Sequence, residues 1–312
     1  MASHSPGTHS ANSRVTVLGS ANRDIVFSVE RIPQPGETIL ARSAAKFAGG
    51  KGLNQAVAAV RAGSATTFIG AIGRDENGDA LAQTIADDGI AGDLVRRTDE
   101  PTGQAFIVVD GFGENTIIVA SGANGSFAPL TAADRTAIGA AGVLLMQLEL
   151  PLERVLEAAM IARTLGTTVM LNAAPASDLP RELLADLDYL IVNEHEACAI
   201  GGSARLDVAS ATLASLVDRV VVTLGASGAA LYEAGAEIAR IPAPRVTAVD
   251  TTGAGDTFCG AFAAAIAGGR RFGAAARFAT AAAALSVQAI GAVPSIPLRA
   301  TIDAADEGWG TR

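Results

Sequence analysis

The segment Asp250-Thr251-Thr252-Gly253-Ala254-Gly255-Asp256-Thr257-Phe258 sets a carboxylate directly behind two glycines and ahead of an Ala-rich run. A turn of this kind feeding a helix presents unpaired backbone N–H groups and the positive end of the helix dipole, so it binds anions. Small residues at 253–255 let those amides approach a phosphate closely. A carboxylate in the first helical turn repels a phosphate by itself. It makes chemical sense at Asp256 as the acceptor of a proton from a hydroxyl that attacks the phosphate. The alternative, that Asp256 only complements the helix dipole, leaves the glycine pair unexplained.

A second glycine cluster, Phe47-Ala48-Gly49-Gly50-Lys51-Gly52-Leu53-Asn54, also opens a helix. Lys51 and Asn54 are three apart and share a helical face. With Asn22 and Asp24 they form a set of amide, ammonium and carboxylate groups suited to a polyol. Ordinary turn chemistry, with Asp24 and Asn54 as caps, explains the same residues. Glu149 ends an apolar strand, where polar groups of parallel sheets face the ligand crevice; it also suits the loop before Pro151. Asn193 and Glu196 follow another such strand. They could position phosphate and Mg²⁺ through waters, or form a capping box. Thr223, Gly225 and Gly228 make a small turn suited to a nucleotide. Gly49–Gly52 is no P-loop, since Ala45 and Gly52 stand where its first Gly and its Ser/Thr belong, and no G-x-G-x-x-G follows the first strand.

Composition narrows the chemistry. The chain has 312 residues and a formal charge of −9, which argues against holding nucleic acid through phosphates. Hydrophobic residues at 49% exclude disorder as the main state. No apolar run approaches the roughly 18 residues of a membrane span, and no signal peptide opens the chain. Two cysteines, Cys198 and Cys259, rule out a disulfide framework or cysteine-rich zinc site and suit a reducing cytoplasm. Of three histidines, His4 and His9 lie in the Ser/His/Gly-rich residues 1–13, which read as a disordered tail, and His195 reads as an exposed loop residue. Carboxylates, Lys, backbone amides and bound cations must therefore carry any catalysis.

These groups need a scaffold. The runs VTVLG (15–19), VLLMQLE (143–149), TVMLNA (168–173), YLIVN (189–193) and VVVTLG (220–225) are continuously apolar for most of their length, as strands covered on both faces are. They alternate with helix-like segments, which predicts an α/β fold: a three-layer α/β/α sandwich around a mostly parallel sheet. The Ala-rich stretch from Ala254 to Ala289 reads as two packed helices. Segments 24–29, 37–47 and 103–121 break the alternation. They predict a small antiparallel β-sheet lid, with a hairpin-like turn at 111–114. One domain, 14–312, carries this lid.

Taken together these blocks resemble the ribokinase-like (PfkB) family of carbohydrate kinases. The resemblance spans Val15 to the end and rests on GSANRD (19–24), PGET (35–38), FAGGKGLNQAVAA (47–59), LLMQLE (144–149), LNAAPA (171–176), NEHEA (193–197), VTLGASG (222–228), VDTTGAGDTF (249–258) and GAVPSIP (291–297). It implies transfer of the γ-phosphate of ATP to a furanose hydroxyl. The expected acceptor is the 5-hydroxyl of D-ribose, giving D-ribose 5-phosphate; another pentose or a nucleoside is the alternative, and a non-catalytic sugar sensor a third. Residue by residue, the resemblance implies Asp256 as base and Gly253, Ala254 and Gly255 as the amide anion hole. Asn22, Asp24, Gly50, Lys51, Asn54 and Glu149 would hold the sugar. Asn193 and Glu196 would serve phosphate and Mg²⁺, and Thr223, Gly225 and Gly228 the nucleotide. It further implies an activating K⁺ on Asp250, Thr252, Ser286, Ala289, Gly291 and Ser295, and a homodimer through the lid. Arg23 is a large charged residue where members of the family often carry a small or apolar one.

Overall fold

The computed structural model describes residues 13–112 and 115–309. The expected tail, apart from Ser13, and Gly113-Glu114 of the expected hairpin turn lie outside the described residues. The chain runs β1 (Arg14–Leu18), β2 (Asn22–Ser28), β3 (Ser43–Gly49), α1 (Lys51–Arg61), β4 (Ala65–Gly73), α2 (Glu76–Asp87), β5 (Val95–Thr98), β6 (Gly103–Val109) and β7 (Asn115–Ala120). It continues α3 (Ala132–Gly139), β8 (Val143–Met146), α4 (Leu152–Leu165), β9 (Thr168–Asn172), α5 (Arg181–Asp186), β10 (Tyr189–Asn193), α6 (Glu194–Ile200) and α7 (Leu206–Ala214). Then come β11 (Arg219–Thr223), β12 (Ala229–Glu233), β13 (Ala236–Ile241), α8 (Ala254–Ala267), α9 (Phe272–Ser286), α10 (Ala292–Ser295) and α11 (Arg299–Trp309).

Among the described residues the main sheet has the order β13-β12-β11-β10-β9-β8-β1-β4-β5. It is parallel from β11 to β5, with β12 and β13 antiparallel at one edge. Successive side chains of a strand point to opposite faces, and here both faces are buried. Leu145 joins the core under α1, α8 and α9, whereas Leu144 and Met146 join the core under α4, α5 and α7. This is the three-layer sandwich, and it explains why these strands carry no polar alternation. The edge strands β12 and β13 escape sequence reading because Ala and Glu, poor strand formers, fill much of them.

The second sheet has the order β3-β2-β6-β7. The expectation of an antiparallel lid needs correction at its centre. β2 pairs β3 antiparallel and β6 pairs β7 antiparallel, but β2 and β6 run parallel. A parallel pair needs a long crossover, and here the chain from β3 through β5 supplies it. The second expected segment, 37–47, also differs: the strand covers Ser43–Gly49, while Glu37 lies outside it, ion-paired to Arg31.

Helices α1 and α8 pack closely because Gly260 faces α1. A Cβ there would meet the carbonyl oxygen of Gln55 at 2.3 Å and Ala58 Cβ at 2.5 Å. At the far end of α1, Arg61 pairs with Asp88 through Nε (2.6 Å) and Nη2 (3.2 Å). Its Nη1 donates to the carbonyls of Val293 (2.8 Å) and Ile296 (3.0 Å). One guanidinium thus ties α1 to the 293–296 turn, and a Lys ammonium has no such fork. Arg61→Ala strands Asp88 and both carbonyls, so it is expected to lower unfolding free energy by about 2–4 kcal/mol. Urea titration at unchanged m-value checks this; a loss below about 0.5 kcal/mol, the scale of an ordinary surface substitution, contradicts it.

Candidate active site

Strand β1 has β4 on one side and β8 on the other. The chain therefore reverses direction across the sheet between β1 and β8, and the crevice beyond their carboxyl ends is the switch point where open α/β sheets bind ligands. Glu149 sits in this crevice, three residues past the end of β8. Its Oε2 accepts from Ser20 Oγ (2.5 Å) and from the Lys51 amide (3.1 Å). Ser20 in turn takes the Gly52 amide on Oγ (3.3 Å) and the Leu53 amide on its carbonyl (2.9 Å). The start of α1 is thus satisfied from across the crevice. Its N-cap is Gly50, at φ 89°, with no side-chain cap. Asp24 and Asn54 are therefore not caps: Asp24 lies on β2 and Asn54 points away from its own helix start.

Asn54 Nδ2 donates to Asp256 Oδ2 (2.9 Å) and Gln55 Nε2 to Asp256 Oδ1 (2.9 Å). Asp256 is buried in the first turn of α8, so both its oxygens are aimed by α1 rather than by its own helix. The carbonyl oxygen of the Asn54 amide, Oδ1, is buried without a partner. An orphaned acceptor beside a carboxylate is the kind of vacancy a ligand hydroxyl fills. Asn22 is buried and accepts from Asn124 Nδ2 (2.8 Å). A cleft of about 420 Å³ opens beside it, lined by Asn22, Val119, Asn124, Leu148 and Glu149 among others. A roomier groove of about 640 Å³ along α4 is lined by the ion-paired Arg135, Arg154 and Glu157 and contains none of these residues.

Asp24 is buried, and its acid range is pushed up to about 7 by burial and by the neighbouring charges of Glu149 and Asp256, against Arg23 and Lys51. Gly49 makes room for it: a Cβ there would lie 2.1 Å from Asp24 Oδ2. Burial alone would lower the Lys51 ammonium, but the carboxylates of Asp256, Glu149 and Glu196 outweigh it and hold it above its usual range. These groups share one electrostatic field, with Lys51 as the cation among carboxylates.

Asn193 and Glu196 form a reciprocal capping box at the start of α6, at 2.8 Å each way. The capping alternative is thus real, and it uses Oε2 of a buried Glu196 whose acid range burial raises. Asn193 pairs in register with Thr223 on β11, so the two loops are neighbours. Gly228 is required by the fold, because a Cβ there would meet the Ile241 carbonyl at 1.9 Å. Gly225 and Gly255 face open space, where a Cβ would meet nothing within 4 Å. Of the expected anion-hole amides, that of Ala254 is already given to the Thr251 carbonyl (3.2 Å). Gly253 adopts φ 74° and packs on Ala292. His195 is exposed, and its charge acts on Glu196 against the effect of burial.

Asp250 spans two segments: Oδ1 accepts from the Thr252 amide (2.9 Å) and Oδ2 from the Gly291 amide (2.8 Å). Burial pushes this carboxyl up, but the two amides prevail and hold it below its usual range. Ser295 is buried with its hydroxyl on the Ala292 carbonyl (2.8 Å), while Ser286 and Ala289 close the last turn beyond α9.

Sequence reading gave no role to Ser20, Gln55, Asn124, Gln147 and Asn172, all buried here. A signal existed for two of them. Gln147 and Asn172 are polar residues near the carboxyl ends of otherwise apolar runs, as Glu149 is.

Comparison with known proteins agrees with this arrangement. The model of the pfkB family of carbohydrate kinases matches residues 12–299. The ribokinase of Haemophilus influenzae is 42% identical over 293 residues, covering 91% of this chain and 95% of that one. The structure of Arabidopsis thaliana ribokinase complexed with ribose and ATP superposes with a TM-score of 0.88 at 36% identity, covering 94% of this chain and 98% of that one. Thermotoga maritima ribokinase superposes with a TM-score of 0.86 at 37% identity, covering 94% and 99%.

Proposed function

We infer that this chain, which belongs to the pfkB family of carbohydrate kinases, is an ATP-dependent ribokinase that phosphorylates D-ribose at its 5-hydroxyl. The observation that carries the reading is the buried carboxylate of Asp256 at the start of α8, held by two amide donors from α1 at the switch-point crevice. The similarity to a ribokinase complexed with ribose and ATP supplies the substrates.

In this reading the sugar lies between Asn22, Asp24, Gly50, Lys51, Asn54 and Glu149. Carboxylate and amide groups bind vicinal hydroxyls, and burial excludes water. Asp256 takes the proton of the attacking hydroxyl, and the new bond from that oxygen to the γ-phosphorus forms as the bond to ADP breaks. Gly253 and Gly255, with the helix dipole behind them, stabilise the charge that grows on the phosphoryl oxygens. The Ala254 amide contributes by fixing the turn. Thr223, Gly225 and Gly228 border the nucleotide.

Two cations fit this chemistry. Glu196 has a carboxylate oxygen outside its capping box, and with Asn193 it would hold Mg²⁺ through waters. Bound there, Mg²⁺ neutralises phosphate charge. The oxygens of Asp250, Thr252, Ser286, Ala289, Gly291 and Ser295 are a hard, oxygen-only donor set suited to K⁺. Asp250 already bridges the two segments that carry them. K⁺ would stiffen the loop without entering the reaction.

The outer strand β7 exposes Ile117, Ile118 and Val119. An apolar edge strand invites another chain, which supports a homodimer formed through the lid. No helix among the described residues is long and apolar enough to cross a membrane.

One assay panel tests the assignment. ATP is supplied with ribose, deoxyribose, fructose and adenosine, in K⁺ and in Na⁺. Ribose is expected to give the highest kcat/KM, with several-fold activation by K⁺ through the ordering of the anion hole; Asp250→Ala is expected to respond to neither cation. Preference for adenosine would favour a nucleoside kinase. Equal rates in K⁺, Na⁺ and a bulky organic cation would remove the K⁺ site.

A further inference from the structure

Behind Asp256 lies a chain of buried amides that the reaction itself does not use. Gln55 Nε2 gives one N–H to Asp256 Oδ1 (2.9 Å) and the other to Asn172 Oδ1 (3.0 Å), and its Oε1 accepts from Gln147 Nε2 (2.7 Å). Asn172 Nδ2 donates to the carbonyl of Ile191 (3.2 Å), which also accepts the Ala173 amide (3.0 Å). Gln55 and Gln147 are at most 1% exposed, and Asn172 is 8% exposed.

A side-chain amide can turn over, exchanging its donor end for its acceptor end, and its neighbours decide which way it faces. Here they leave no choice. The Ile191 carbonyl can only accept, so it takes Nδ2 of Asn172. Oδ1 of Asn172 then faces Gln55, which must answer with Nε2. That same nitrogen must point its second N–H at Asp256. Turning Gln55 over would set its oxygen against a carboxylate and an amide oxygen at once, in a buried site where such a clash is costly.

Resting on the kinase reading above, we propose that Gln55 is a positioning residue that fixes the rotation of the Asp256 carboxylate, its polarity set from the Ile191 carbonyl through Asn172. Oδ1 is held by this chain. Oδ2, which accepts from the neighbouring Asn54, is the oxygen presented to the sugar hydroxyl. Asp24, Lys51, Glu196 and Cys259 lie in the same field and are left in place by substitution at position 55.

Gln55→Met keeps length but has no donor. It is expected to lower kcat by about 10- to 100-fold, as misplacement of a catalytic group does. KM for ribose should stay within about twofold, so that the loss falls on kcat. A general packing defect would raise KM as well, because Gln55 shares α1 with Lys51 and Asn54. Gln55→Glu, of equal size, places an acceptor against Asp256 and provides the test if the Met variant fails to fold; the same changes are expected. Asn172→Leu should reduce kcat in the wild-type background and add little to Gln55→Met, since it acts through the same residue. A crystal structure of the variant at position 55 is expected to show the Asp256 carboxylate rotated or in two orientations.

A folded variant with unchanged kcat would overturn the proposal, as would an unmoved carboxylate. If the wild-type protein did not phosphorylate ribose, the kinase reading would fall, and the orientation of Asp256 in the variant crystal would still decide the role of Gln55.

Discussion

Asp256→Asn is expected to reduce kcat by roughly 10²–10⁴, the usual worth of a general base. The substitution preserves size and removes the proton acceptor. It also turns one of two acceptors into a donor. Asn54 Nδ2 and Gln55 Nε2 both donate to Asp256, so one of them must lose its partner, at about 1–3 kcal/mol of stability. Ribose affinity is expected to survive, because Asn22, Asp24, Lys51 and Glu149 remain. Steady-state kinetics, calorimetry with ribose and a thermal melt separate these effects. Near-normal turnover would show that the proton leaves by another route.

Asp24→Asn is expected to do the opposite to stability and to harm binding. The carboxyl of Asp24 is pushed from 3.8 to about 7 in the folded chain, first by burial and then by Glu149 and Asp256. Between those two values the folded state holds more protons than the unfolded state. Stability therefore falls as pH rises through this window. The penalty is absent below about pH 4 and fully present above pH 7. At about 1.4 kcal/mol per tenfold it is on the order of 4 kcal/mol. A neutral amide of the same shape escapes it. The melting temperature of Asp24→Asn at pH 8 should therefore exceed that of wild type by about 5 °C or more, and the difference should vanish toward pH 4. Ribose affinity should drop about tenfold or more, since a hydroxyl loses a charged acceptor. A variant less stable than wild type at pH 8, or equal ribose affinity in calorimetry, would contradict this account. A site built to hold sugar hydroxyls thus keeps acids crowded in the free protein, a strain that binding can relieve.

Local chemistry made much of this legible in the sequence. A Gly-rich turn ahead of an apolar helix presents amides wherever it occurs, so Gly253, Gly255 and Asp256 suggest the proposed anion site without knowledge of the fold. The same holds for Gly50 and Lys51. Strands buried on both faces must be continuously apolar, so 143–146, 189–192 and 220–222 declared a covered parallel sheet. Their polar ends marked the crevice, as Glu149 and Asn193 show.

Tertiary structure alone decided the rest, because it depends on partners far apart in the chain. Asn54 and Gln55 read as neighbours on one helix, yet their importance lies in meeting Asp256, about 200 residues on. The donor and acceptor ends of Gln55, Gln147 and Asn172 are set by a carbonyl on β10, which no local pattern can encode. Asp24 acquires its raised acid range only where Glu149 and Asp256 crowd it in a buried site. The parallel pairing of β2 with β6 follows from the crossover between them, whereas alternation within each strand says nothing about direction. Hydrophobic periodicity and turn chemistry act over a few residues and survive in sequence; charge coupling and amide polarity act through space, and only folding brings their partners together.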